Sequence, residues 1–162
     1  MRITTVLILS FIFLTGIYAQ DKLRNVLPLK NGKVTYTNVI QTDSLSKDEL
    51  YKRAKIWLAC TYELVKLDDK DELIGRGYIY YSGGVYVWQT IKIQMKNGRY
   101  KYEITDFILK EYNVFQGSSS FIEGSIDSPR YGKGFYEYID TSIKKLIVSL
   151  EKAMKTPIDD NW

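Results

Sequence analysis

Apolar residues recur along this chain in three rhythms. Ile3 to Leu14 is an almost unbroken apolar run, interrupted only by Thr4, Thr5 and Ser10. Leu50, Ala54, Trp57, Leu58 and Thr61 recur at three and four residues, which predicts a helix with one stripe on a core. From 85 to 95 the pattern alternates. Val87, Ile91, Ile93 and Met95 project to one side, and Tyr86, Trp88, Thr90, Lys92 and Gln94 to the other, as in a strand. The same alternation carried into the next strand sets Tyr100, Tyr102 and Ile104 against Lys101, Glu103, Thr105 and Phe107.

Punctuation between these rhythms gives the element order. A lead-in segment from 20 to 33 ends in the Asn31-Gly32 turn, and Val34 to Thr42 has strand composition. Ser46 and Glu49 have capping-box spacing, with Leu45 and Leu50 at the staple positions, so a helix starts there and ends near Tyr62. Four strands follow, at about 63–67, 72–82, 85–95 and 99–109, parted by Asp68-Asp69-Lys70-Asp71, Ser82-Gly83-Gly84 and Lys96-Asn97-Gly98. The Gly/Ser-rich segment 110–134 is either a functional loop or hides a short hairpin around Phe121-Ile122. Phe135, Ile139, Ile143, Leu146, Leu150 and Met154 then mark a C-terminal helix at about 135–155, stopped by Thr156-Pro157. The order β-α-β-β-β-β-α predicts an α+β fold: a single layer of antiparallel sheet with two helices packed on one face.

The first apolar run is short for a membrane span. Behind Met1-Arg2 and ahead of Ala19 it has the form of a signal peptide over 1–19, cleaved before Gln20. A single domain is then expected over 20–162, exported to the periplasm or beyond, with no transmembrane span after cleavage. Loss of Arg2 lowers the formal charge from +4 to +3. The single cysteine, Cys60, rules out a lipidated mature N-terminus and an internal disulfide. At the apolar end of its helix it is expected to be a buried thiol.

Several stretches of the chain carry a more particular resemblance. They are Leu27-Pro28-Leu29, Val34-Thr35-Tyr36, the helix Ser46-Lys47-Asp48-Glu49-Leu50-Tyr51-Lys52-Arg53-Ala54-Lys55-Ile56-Trp57, Ile74-Gly75-Arg76-Gly77 and Asn97-Gly98-Arg99-Tyr100-Lys101-Tyr102-Glu103-Ile104-Thr105-Asp106-Phe107. Over about residues 27–110 the sequence resembles a family of secreted Bacteroides-type proteins, a domain of unknown function with a TBP-like (TATA-binding-protein-like) fold. The resemblance implies that fold. It brings no activity, cofactor or catalytic residue.

Composition removes most chemistry. The chain has no histidine, so histidine-based triads and most zinc sites are excluded. Ser142 with Lys145 and Ser149 with Lys152 have S-x-x-K spacing but lie inside the last helix without companion motifs. Asp68, Asp69, Asp71 and Glu72 lack the spacing of a calcium loop and read as a solvated turn. Gly75-Arg76-Gly77 and Gly132-Lys133-Gly134 are too short to cradle phosphate. No metal, cofactor or catalytic residue is expected, and the modest net charge gives no expectation of a nucleic-acid partner.

What remains is aromatic. With the apolar strand positions turned to the helices, Tyr86, Trp88 and Phe107 fall on the uncovered face, joined by Tyr78 and Tyr80. Such residues either stabilise a solvated sheet as cross-strand pairs or form a patch that binds a partner protein, a second copy or a glycan. The leading expectation is a non-enzymatic binding domain. The rivals are a histidine-free hydrolase acting through a carboxylate pair near the Gly/Ser-rich loop, drawn from residues such as Glu103, Asp106 and Glu123, and an accessory subunit of a cell-envelope complex.

Overall fold

The fold is seen in a computed structural model that describes residues 26–42, 44–62, 64–69, 72–112, 117–125 and 130–158. The expected signal peptide at 1–19, Asp71 and the Ser128-Pro129 pair lie outside the described residues.

Strand β1 (Leu29–Lys30) turns into β2 (Lys33–Val34) through Asn31 and Gly32, whose φ values of 53° and 77° make the mirror-image turn that suits strand twist. Strand β3 (Tyr36–Gln41) follows, then helix α1 (Lys47–Thr61). The Ser46 side chain caps α1 by accepting from the Glu49 amide, while the Glu49 carboxylate turns instead to Arg53 at 2.8 Å. Four antiparallel strands come next: β4 (Leu64–Asp69), β5 (Glu72–Tyr80), β6 (Val85–Lys96) and β7 (Arg99–Tyr112). The chain closes with β8 (Gly117–Phe121), a short 3-10 turn (Ile122–Ser125) and helix α2 (Lys133–Lys155).

The main sheet runs β3-β7-β6-β5-β4. β7 is long enough to take two partners on one edge: β3 pairs with residues 99–104, and β8 with residues 108–112. The Gly/Ser-rich segment therefore supplies a strand that pairs antiparallel with the end of β7, as the short hairpin expected around Phe121 requires, with Lys110, Glu111 and Tyr112 opposite Ser119, Ser118 and Gly117. Serine has little strand preference, and the open hydrogen-bonding edge of β7 overrides it.

Both helices cover one face. α1 buries Leu50, Arg53, Ala54, Trp57 and Leu58, and α2 buries Phe135, Tyr136, Ile139, Ile143, Leu150 and Met154. They meet Val87, Ile91, Ile93, Met95, Tyr100 and Tyr102 of the sheet. Two polar contacts lock the helices together: the Trp57 indole donates to Ser149 Oγ at 3.1 Å, and the Arg53 guanidinium donates to the Met154 carbonyl at 2.9 Å. The latter satisfies a helix-end acceptor with a charged donor.

Cys60 corrects the expectation of a buried thiol, because it is exposed. It borders a groove between the outer edges of α1 and α2, with Ile56, Ala153 and Pro157, instead of facing the sheet.

Candidate functional site

The face of the sheet away from the helices carries the candidate site. β6 alternates strictly, burying Val85, Val87, Gln89, Ile91, Ile93 and Met95 and turning Tyr86, Trp88, Thr90, Lys92, Gln94 and Lys96 outward. Register then dictates which neighbours join them. Tyr78 lies opposite Trp88 and Tyr80 opposite Tyr86 on β5, while Ile108 and Lys110 stand opposite Trp88 and Tyr86 on β7. Phe121 of β8 faces Ile108. One row therefore crosses four strands as Tyr78, Trp88, Ile108 and Phe121.

Ring geometry ties the patch together. Tyr78 contacts Tyr86 and Trp88 at centroid distances of 5.3 and 5.1 Å, and Tyr86 also meets Tyr80 at 5.2 Å and Tyr112 at 5.4 Å. These are the edge-to-face and tilted arrangements that the ring quadrupole favours. Tyr78, Tyr80, Tyr112 and Phe121 remain between 41% and 57% exposed, which is far above a packed core. The Lys110 ammonium and Arg76 guanidinium lie 4.9 and 5.7 Å from the Trp88 ring centroid, within cation–π range.

Four of the five expected residues, Tyr78, Tyr80, Tyr86 and Trp88, thus come together. Phe107 does not. It is wholly buried, with its ring 5.9 Å from Tyr36. The cause is a β-bulge: Asp106 and Phe107 together oppose Gln89, and Asp106 takes φ 54°. One extra residue reverses the alternation, so Phe107 and Leu109 turn to the core and Ile108, Lys110 and Tyr112 turn outward. Tyr112, Phe121, Arg76 and Lys110 were missed as site residues. An aspartate inside a strand-like run, tolerant of positive φ, is the signal that could have placed Lys110 and Tyr112.

The carboxylates of the hydrolase alternative do not share a free site. Glu103 pairs with Lys101 at 3.4 Å on the open face, Glu123 accepts from the Val34 amide at 2.7 Å, and Asp106 is exposed at the bulge. Ser142 donates to the Tyr138 carbonyl and Ser149 accepts from Trp57. Among the described residues, no group of three or more His, Cys, Asp or Glu side chains could hold a metal ion, and no helix is long and apolar enough to cross a membrane.

An antiparallel sheet with two helices on one face and the other face bare defines the TBP-like α+β class. Residues 36–110 match the family described as a domain of unknown function (DUF4468) with TBP-like fold, so this stretch resembles that family as its motifs imply. A crystal structure of a TBP-like protein from Parabacteroides distasonis is similar, at 17% identity, with 82% of this chain and 99% of that one covered and a TM-score of 0.70. A DUF4468 family protein from Bacteroides ovatus aligns at 16% identity, with 82% and 92% covered and a TM-score of 0.59. At such identities the likeness is one of fold. No curated protein matches the chain.

Proposed function

We propose that the protein is a non-enzymatic binding module whose uncovered sheet face is the ligand surface. The observation that carries this reading is the contiguous aromatic patch of Tyr78, Tyr80, Tyr86, Trp88 and Tyr112, left bare by both helices and flanked by Arg76 and Lys110. Neither cation has an ion-pair partner among the described residues. Exposed aromatic side chains beside unpaired cations supply apolar contact area, hydroxyl groups and charge on one rigid surface at little ordering cost.

Binding assays with the wild-type chain and a Tyr86→Ala/Trp88→Ala variant test this. Ligand binding lost in a variant that keeps its circular dichroism spectrum is the expected result. Undiminished binding by the folded variant would overturn it.

We further propose that the module works outside the cytoplasm after removal of residues 1–19, as the Met1-Arg2 start, the apolar run and Ala19 support. N-terminal sequencing of protein recovered from its producing cells should begin at Gln20. An intact Met1 would contradict it.

A further inference from the structure

The open face is cationic as well as aromatic. Among the described residues of β5, β6 and β7 that project from it, six are cations (Arg76, Lys92, Lys96, Arg99, Lys101 and Lys110) and two are acids (Glu72 and Glu103). This surplus of four compares with a formal charge of +3 for the chain without residues 1–19, so the remainder of that chain is close to neutral. Glu72 holds Lys92 at 3.0 Å and Glu103 holds Lys101 at 3.4 Å. Two pairs of cations are left without an acid among the described residues. Arg76 and Lys110 flank Trp88 at one end of the face, and Lys96 and Arg99 lie at the other. The second pair lines a cavity of about 560 Å³ beside Val39 and the β6–β7 hairpin.

Trp88 and Lys96 are eight residues apart on β6, so the two cationic stations stand about 27 Å from one another along one strand direction. Thr90 and Thr105, opposite each other, lie level with Arg76, and the paired Lys92, Glu72, Lys101 and Glu103 occupy the strand length between them and Lys96. We propose, resting on the reading of this face as a ligand surface, that its ligand is an elongated acidic polysaccharide lying along the strands.

Four features select that occupant. The spacing of the stations exceeds the reach of a compact ligand. A second copy docking face to face by a two-fold axis would set the Arg76 and Lys110 end against like charges, either its own or those of Lys96 and Arg99. An extended peptide is held by backbone pairing at a sheet edge, whereas these residues project from a sheet face. Stacked bases need successive exposed ring faces, but Tyr78, Tyr86 and Tyr112 meet edge to face at 73° and 89°. A hydroxyl-rich chain bearing carboxylate or sulfate groups meets phenols and cations at the Trp88 end, threonine hydroxyls and paired charges along the middle, and cations again at the Lys96 end.

The test is calorimetric titration of the full chain with polygalacturonate, dextran sulfate, unmodified dextran, polyglutamate and an oligothymidylate. Binding is expected to polygalacturonate or dextran sulfate, these two arms separating carboxylate from sulfate, and it is expected to weaken as salt is raised. Arg76→Gln/Lys110→Gln and Lys96→Gln/Arg99→Gln should each lower affinity about tenfold, and Arg76→Lys/Lys110→Arg should restore it. Loss at only one station overturns the elongated ligand. Tighter binding of polyglutamate or the oligonucleotide overturns the polysaccharide, and binding of neither acidic polysaccharide overturns the inference. Equal binding of unmodified dextran overturns the acidic character alone, and the binding-face reading then stands if Tyr86→Ala/Trp88→Ala removes that binding.

Discussion

Gly77 lies directly beneath the ring of Tyr62: a Cβ built on Gly77 would stand 2.5 Å from Tyr62 Cδ1. Gly75 is as tightly covered, its Cβ position being 2.7 Å from Leu58 Cδ2. The Gly75-Arg76-Gly77 triplet thus lets the end of α1 settle onto β5 while Arg76 projects to the open face. Gly77→Ala is predicted to cost about 1–3 kcal/mol by overpacking, measured as a lowered urea midpoint. In a Tyr62→Ala background the same change should cost much less, since the ring it strikes is gone. Equal costs in the two backgrounds would refute the contact as the reason for glycine.

Arg53 joins the two helices. Its side chain is only 7% exposed, held by Glu49 and donating to the Met154 carbonyl. Arg53→Ala is expected to lower stability by about 1.5–3 kcal/mol, the range for a hydrogen bond to a charged donor. Urea unfolding of the variant checks this, and a loss under half a kcal/mol would show that α2 docks independently of α1's guanidinium.

Asp106 decides which side of β7 faces out. With φ at 54°, Asp106→Gly is predicted to be tolerated and Asp106→Val to destabilise by about 1–2 kcal/mol, because a β-branched residue resists that conformation. Equal unfolding midpoints for the two variants would contradict the bulge.

Tyr36, Tyr62 and Tyr100 are among five tyrosines that resist ionisation. Burial, aided at Tyr36 by the nearby Asp140 carboxylate and at Tyr100 by the charge of Glu151, pushes the phenols of Tyr36, Tyr62 and Tyr100 well above the ordinary 10.0. A raised folded-state value means their contribution is full below pH 10.0 and is lost as pH rises beyond it, where only the unfolded chain ionises freely. Alkaline titration followed by phenolate absorbance should show these groups appearing together with unfolding. Their ionisation in a chain that keeps its fold would contradict the burial argument.

The sequence made much of this legible, for definite reasons. Ser46 has a side chain that caps a helix, Gly83 and Gly84 take the positive φ of a tight hairpin, and β6 alternates without a break, so these features are read directly. Phe107 was misplaced because a bulge has no periodic signature, and Tyr112 was missed for the same reason. Cys60 follows the apolar Ile56, Trp57 and Leu58, yet it points to the outer groove, because an apolar helix end does not say which side meets the sheet. The cationic character of the open face was hidden by averaging, since the acidic residues lie mostly elsewhere.

The open face, and not the helical side, is predicted to receive the ligand. Trp88 and Trp57 report on the two sides separately: Trp88 stands under Tyr78, Arg76 and Lys110, while the Trp57 indole is bonded to Ser149 between the helices. Nuclear magnetic resonance of the two indole N–H groups during titration with polygalacturonate is the most direct measurement. The Trp88 resonance is predicted to shift with the Trp57 resonance unmoved. A shift confined to Trp57 would contradict it.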